Sequence, residues 1–186
     1  PEVFETEGAD REHLRMPASH DALVETVAAV NPRTVVVLSN GSPVEMPWIG
    51  HVPAVLEGYL GGQESGGAIA RMLVGELEPG GRLAETFPLR WSEHPVSTLP
   101  DGPRFAEYRE SVYVGYRWTD TVGSDVLFPF GHGLSYTSFA WSGATADRVV
   151  LTSDDPAVTV VVTVANTGER AGTDVVQVYV RPPQSG

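Results

Sequence analysis

The first 89 residues alternate between helical and strand-like hydrophobic patterns. Apolar side chains near helical spacing predict an amphipathic helix over residues 19–30, namely Ala22, Leu23, Val27 and Val30. Pro32 ends this helix, because the residue before a proline avoids the helical region. Residues 34–39 then form a continuous, β-branched apolar run, which is typical of a strand covered on both faces.

A second strand and a second helix follow in the same order. The pattern predicts a strand over residues 52–59 and a helix over residues 63–77, which opens after Gly61-Gly62. Helices that alternate with apolar strands indicate an α/β layer structure with a largely parallel sheet.

The rest of the chain has a different character. Residues 90–139 are rich in aromatic residues and glycine, and they predict long ordered loops with short hairpins. From residue 140 the pattern predicts strands over 157–164 and 173–180, with a turn at Asn166-Thr167-Gly168 between them. A β-sandwich of this kind needs about seven strands, so residues 140–186 are expected to hold only its beginning.

Composition and charge exclude several classes of function. The chain has 186 residues, no cysteine, 24 acidic and 12 basic side chains, and a net charge of −12. This balance argues against nucleic acid and anionic membranes as partners, since both are bound by basic surfaces. The absence of cysteine excludes disulfides, cysteine-ligated metals and thiol catalysis. No apolar run approaches the roughly 20 residues that span a bilayer.

The sequence offers no sign of a bound metal or cofactor. No two of the five histidines stand at the i, i+4 spacing of helical metal sites. The glycine-rich run from Gly61 to Gly67 matches neither nucleotide-binding fingerprint, so we interpret it as a tight turn. The chain starts at Pro1 and ends in a loop-like segment, so we expect a fragment, and its localisation cannot be read.

Two segments could carry chemistry. The acidic run Glu5-Thr6-Glu7-Gly8-Ala9-Asp10-Arg11 holds the paired carboxylates that glycoside hydrolysis uses, although composition alone favours a solvated acidic loop. The aromatic segment from Phe128 to Thr137 could line a sugar site or could fill space between domains. Its spacing does not decide between them, and we favour a structural role.

Seven segments in order resemble the C-terminal half of family 3 glycoside hydrolases, of the β-glucosidase and β-xylosidase type. They cover essentially the whole chain: residues 5–11, 35–44, 61–66, 79–88, 114–118, 128–137 and 166–180.

The resemblance implies a fold and a division of roles. Residues 1–139 would be part of a three-layer α/β sandwich domain, and residues 140–186 a linker and the first strands of an incomplete fibronectin-III-like sandwich. A (β/α)8 barrel, absent from this chain, would supply an aspartate nucleophile. By the match to the x-Glu-Gly pattern, Glu7 would be the general acid/base, with Glu5 in reserve. Asp10 and Arg11 would brace the segment.

The resemblance also implies a function. The chain would belong to a retaining β-glycosidase, best matched by a β-glucosidase, that hydrolyses terminal non-reducing β-linked sugars of oligosaccharides or glycoconjugates by double displacement. It would need no cofactor, and without the barrel the chain would be inactive. The alternative is a non-catalytic carbohydrate-binding or scaffolding module with the same fold. The sugar and the aglycone stay open, because barrel residues would select them.

Overall fold

The computed structural model describes residues 11–98, 107–148, 154 and 156–180. The helices are α1 (Ala18–Val30), α2 (Ser65–Leu73), α3 (Pro95–Thr98) and α4 (Tyr116–Val122). The strands are β1 (Val35–Leu38), β2 (Ala54–Glu57), β3 (Phe87–Pro88), β4 (Val126–Phe128), β5 (Phe139–Ala146) and β6 (Val160–Asn166). They fall into two compact units, one of residues up to Arg71 with Leu83–His132, the other of Met72–Arg82 with the residues from Gly133 onward.

The two helices predicted in the first half are confirmed. Helix α1 ends at the predicted place, where the Asn31 N–H donates to the Val27 carbonyl at 2.9 Å and the Asn31 side chain accepts from the Arg33 N–H at 3.0 Å. Helix α2 is shorter than predicted and ends at Leu73. Gly75 explains the early end, because its φ of +79° is a left-handed conformation that stops a helix.

Strands β1 and β2 form the predicted parallel pair, in register from Val35 opposite Ala54 to Leu38 opposite Glu57. The prediction that β1 is covered on both faces is wrong for this chain. Val35 and Val37 are 45% and 38% exposed, whereas Leu38 is 3% exposed. Successive side chains of a strand point to opposite faces, so the described residues cover one face of β1 far better than the other.

The hydrophobic core of the first unit gathers around the segment that follows β1. Its buried members are Leu38, Val44, Met46, Trp48 and Phe87. Burying a side chain such as Phe87 stabilises the fold by about 1.5–3 kcal/mol. Three of these five residues lie between β1 and β2, so the loop that leaves the carboxyl end of β1 is itself anchored in the core.

The predicted loop region, residues 90–139, contains more regular structure than its pattern indicates. Strand β4 pairs with β3 in antiparallel fashion, with Phe87 opposite Phe128. Helix α4 was not predicted. It is only seven residues long and lies between Gly115 and Gly123, whose φ values are +61° and +67°. Glycines of this kind end short helices as readily as they form turns, and the pattern alone did not separate the two cases.

In the described part of the second unit, β5 and β6 form an antiparallel pair, with Phe139 opposite Asn166. Strand β6 agrees with the strand predicted over residues 157–164, displaced by a few residues, whereas β5 was not predicted. The prediction of a strand over residues 173–180 is wrong, because these residues carry no strand. Side chains hold this segment instead: Asp174 pairs with Arg82 at 2.6 Å. The domain boundary near residue 139 stays a prediction.

No helix in the described part of the chain combines the length and the apolar character that crossing a membrane requires.

Candidate functional site

Glu7 and Glu5, the predicted acid/base glutamate and its reserve, lie outside the described residues. The description begins at Arg11, four positions after Glu7. The structure therefore shows how the chain from Arg11 onward is attached to the fold.

Arg11 attaches this segment to the turn that follows β1. Its Nη1 atom donates to Ser42 Oγ at 2.6 Å and to the Pro43 carbonyl at 3.3 Å. Both partners lie more than 30 positions along the chain. The bracing role of Arg11 stays a prediction, and Asp10, the other predicted brace, lies outside the described residues.

The turn that receives Arg11 is held firmly. Asn40 is 6% exposed, and its Nδ2 donates to the Ser42 carbonyl at 2.8 Å. Pro43 is buried, and its ring fixes the backbone φ angle. Leu38 before the turn and Val44 after it both belong to the core. The turn at the carboxyl end of β1 is therefore a rigid platform.

A second attachment lies three residues further on. Leu14 is 6% exposed, and its carbonyl accepts a hydrogen bond from the Glu45 N–H at 2.8 Å. The Glu45 carboxylate in turn accepts a hydrogen bond from the backbone N–H of Trp91 at 2.6 Å. Residues 11–14 are thus fixed to the loop after β1 by a side chain and by the backbone.

A cleft of about 380 Å³ opens beside these attachments. The Trp91 ring stacks on His94 with 5.5 Å between ring centroids and 12° between planes, and burial lowers the pKa of His94. The lining of this cleft is mostly charged and polar, whereas small-molecule sites are lined mainly by apolar side chains. The lining residues are Glu12, His13, Arg15, Glu45, Arg90, Trp91 and Ser92.

The carboxyl ends of β1 and β2 meet at one edge of the sheet, as parallel strands require. The Gly58 N–H donates to the Leu38 carbonyl at 3.0 Å, and Ser39 Oγ donates to the Tyr59 carbonyl at 3.1 Å. Tyr59 has a φ of +47°, and its N–H donates to the Glu57 carboxylate at 2.8 Å. Ligands of open α/β sheets bind at this edge.

The charge of Glu57 affects the pKa of two side chains near this edge, Glu85 and Tyr59. Burial, and then the negative charge of Glu57, raise the pKa of Glu85. The same causes raise the pKa of Tyr59, where Glu57 and Glu85 both add to the effect of burial. The sequence motifs did not indicate this group; its one sequence signal is that Glu57 ends β2 and Tyr59 follows two residues later.

The aromatic segment that begins at Phe128 is packed against its own unit. Phe128 stacks on His132 with 4.8 Å between centroids, and Phe130 stacks on Tyr116 with 5.1 Å. The Leu83 N–H donates to the His132 carbonyl at 2.8 Å. These contacts support the structural role that we favoured over a sugar site.

The glycine-rich run that begins at Gly61 is the tight turn that the sequence indicated. A Cβ atom on Gly61 would collide with the Ser65 side chain at the start of α2. Among the residues that the structure describes, no group of three or more His, Asp or Glu side chains could hold a metal ion.

The first unit is thus an α/β domain whose polar groups collect at the carboxyl edge of parallel strands, a general arrangement of ligand-binding and catalytic domains. The glycosyl hydrolase family 3 C-terminal domain matches residues 1–136, and the chain belongs to this family.

Similar proteins agree with this assignment. The thermostable β-glucosidase B of Acetivibrio thermocellus is 50% identical over 186 residues, which is 100% of this chain and 24% of that protein. A β-glucosidase of Rhizobium radiobacter is 43% identical over 98% of this chain and 23% of its own length. The chain therefore spans about a quarter of the length of these relatives.

Solved structures lead to the same family. DesR, a β-glucosidase from Streptomyces venezuelae in complex with D-glucose, superposes with a TM-score of 0.80 and 44% identity, over 90% of this chain and 21% of DesR. A family 3 β-glucosidase of Bifidobacterium adolescentis superposes with a TM-score of 0.81 and 41% identity, over 90% of this chain and 25% of its own.

Proposed function

We propose that the chain is the C-terminal portion of a retaining β-glucosidase, and that Glu7 is its general acid/base. A barrel elsewhere in the whole protein would supply the aspartate nucleophile, and the substrate would be a terminal β-linked glucoside. No cofactor takes part in this reaction.

The observation that carries the proposal is the family match, which spans the Glu7 segment together with the fold that holds it. The relatives reported above are named β-glucosidases, and one was solved with D-glucose. The attachment of Arg11 to the turn after β1 suits a segment that must present a side chain in a fixed place.

Further chain would complete both units. The exposed Val35 and Val37 suit a sheet that other strands and helices extend into a three-layer sandwich. The antiparallel β5–β6 pair suits the first strands of a fibronectin-III-like domain.

The reaction proceeds in two displacements. The aspartate attacks the anomeric carbon while the protonated Glu7 carboxyl gives its proton to the departing oxygen. Glu7, now a carboxylate, then takes a proton from water as that water attacks the glycosyl–enzyme bond. The two carboxyl groups of a retaining enzyme stand about 5–5.5 Å apart.

The test is Glu7→Ala in the full-length protein, with Glu5→Ala as the matched control. Loss of general acid catalysis should lower turnover of an alkyl glucoside by about 10²- to 10⁴-fold. The leaving group of 2,4-dinitrophenyl glucoside needs no proton, so the rate of the first displacement with this substrate should fall far less. Added azide should restore turnover of the dinitrophenyl glucoside by the Glu7→Ala variant and yield the β-glucosyl azide.

Four outcomes would overturn parts of the proposal. Unchanged turnover of the alkyl glucoside would remove Glu7 from the mechanism, and the same loss in Glu5→Ala alone would move the role to Glu5. An α-glucosyl azide would contradict retention. A full-length protein that binds glucosides without hydrolysing them would favour the non-catalytic carbohydrate-binding or scaffolding module.

A further inference from the structure

We infer that Arg11 is a positioning residue for the reaction, because it holds the chain to the turn after β1 only four positions after Glu7. The inference rests on the proposed role of Glu7. It assigns Arg11 a function through Glu7 and no contact with the substrate.

The contacts of Arg11 are specific. One guanidinium nitrogen, Nη1, donates to Ser42 Oγ at 2.6 Å and to the Pro43 carbonyl at 3.3 Å. A guanidinium is always charged and carries its donors in a rigid planar fork; here Nη1 makes both bonds, and the buried Nε has no partner among the described residues. Hydrogen bonds from a charged donor are roughly twice as strong as those between neutral groups.

The acceptor atoms of these contacts lie in a turn that is itself held in place. The turn is bounded by Leu38 and Val44, which are 3% and 4% exposed. Within the turn, Asn40 donates to the carbonyl of Ser42 itself at 2.8 Å. The oxygen atoms that receive Arg11 are therefore placed by the hydrophobic core.

The place of Arg11 in the chain gives these contacts their consequence. Leu14 is also anchored, but Arg11 is the described attachment nearest to Glu7 in sequence. Four residues of chain can reach at most about 14 Å, so releasing Arg11 enlarges the region that the Glu7 backbone can visit. A misplacement of about 1 Å can cost a catalytic group about 10²-fold in rate.

The test compares substrates whose leaving groups differ in their need for a proton. In the full-length protein, Arg11→Ala should lower kcat/KM for an alkyl glucoside by about 10- to 100-fold. The change for 2,4-dinitrophenyl glucoside should stay within about threefold, because that leaving group departs without acid catalysis. Arg33→Ala, which replaces an exposed arginine after α1, should change neither value.

Three further variants test the contact itself. Arg11→Lys retains a donor without the planar fork and should recover part of the lost activity. Ser42→Ala removes one acceptor and should show the same dependence on the leaving group at a smaller size. The double variant Arg11→Ala/Ser42→Ala should be no worse than Arg11→Ala alone, because both changes break one interaction. Should Arg11→Ala fail to fold, Arg11→Lys and Ser42→Ala carry the test.

Assaying Glu7→Ala on the same two substrates distinguishes a failure of this inference from a failure of the proposed function. Equal losses on both substrates for Arg11→Ala would show a general structural defect and overturn this inference. If Glu7→Ala shows the dependence on the leaving group and Arg11→Ala does not, this inference fails and the role of Glu7 stands. If Glu7→Ala shows none, the proposed function fails, and this inference fails with it.

Discussion

Replacement of Asp21 by alanine should destabilise the first unit through the buried side chain of Trp48. The Trp48 residue is 0% exposed, and its indole Nε1–H donates to Asp21 Oδ1 at 2.8 Å. Asp21 stands in the first turn of α1, so this hydrogen bond ties the helix to the core. In the Asp21→Ala variant the indole N–H loses this acceptor.

The expected cost follows from two contributions. A buried donor left without its partner costs about 1–3 kcal/mol. A negative charge in the first turn of a helix contributes about 0.3–1 kcal/mol through the helix dipole. We therefore expect the free energy of unfolding to fall by about 2–3 kcal/mol. Asp21→Asn retains an acceptor oxygen and loses the charge, so about 1 kcal/mol is expected.

The assay is urea unfolding followed by tryptophan fluorescence, with Glu25→Ala as the control on the exposed face of α1. With a slope of about 2 kcal/mol per M, the midpoint of Asp21→Ala should fall by about 1 M. Glu25→Ala should change the midpoint little, because an exposed glutamate and an alanine are both good helix formers. A midpoint for Asp21→Ala equal to that of Glu25→Ala would refute the reasoning.

Three other predictions follow from the structure and the proposal. Burial and then the charge of Glu57 raise the pKa of Glu85 above the ordinary value of 4.5. The folded state therefore binds the Glu85 proton more tightly than the unfolded state does. The free energy of unfolding should fall as pH rises from 4.5 through the raised pKa. In Glu85→Gln that fall should be weaker, as urea midpoints between pH 4 and 8 would show; an unchanged slope would contradict the assignment. Arg82→Ala breaks the pair between Arg82 and Asp174, whose side chains are both 11% exposed. The free energy of unfolding should fall by about 3 kcal/mol, and hydrogen exchange in β5 and β6 should become faster. Unaltered exchange in these strands would refute a stabilising role for the pair. The 186-residue chain alone should not hydrolyse p-nitrophenyl glucoside, since it would hold one of the two required carboxylates; measurable turnover after purification would disprove this.

Local patterns were enough for the elements of the first half. The apolar run of β1 and the proline after α1 act within a few residues, and both elements lie where the sequence predicted them. The parallel pairing of β1 and β2 also agrees with the predicted α/β layer structure, although a loop and not an α-helix joins the two strands. Helix α4 and strand β5 were missed, because a two-turn helix between glycines and an exposed, small-residue strand leave little periodicity.

The segment at residues 173–180 shows why a regular pattern can mislead. Its alternating valines are typical of a strand, yet the described residues offer it no strand partner. Asp174 is instead held by Arg82 and by the Trp141 indole, whose Nε1 donates to it at 3.1 Å. A strand is defined by its hydrogen-bonded neighbour, which a single sequence does not name.

The sequence by itself determined the α/β class, the acidic segment around Glu7 and the resemblance to family 3 glycoside hydrolases, because these depend on short runs of residues and their order. Only the tertiary structure decided which distant groups meet. Arg11 reaches Ser42 across 31 positions, and Glu57 acts on Glu85 from a separate element. Such contacts depend on how the core folds the loop after β1, and burial of Leu38, Val44 and Trp48 fixes that loop in three dimensions.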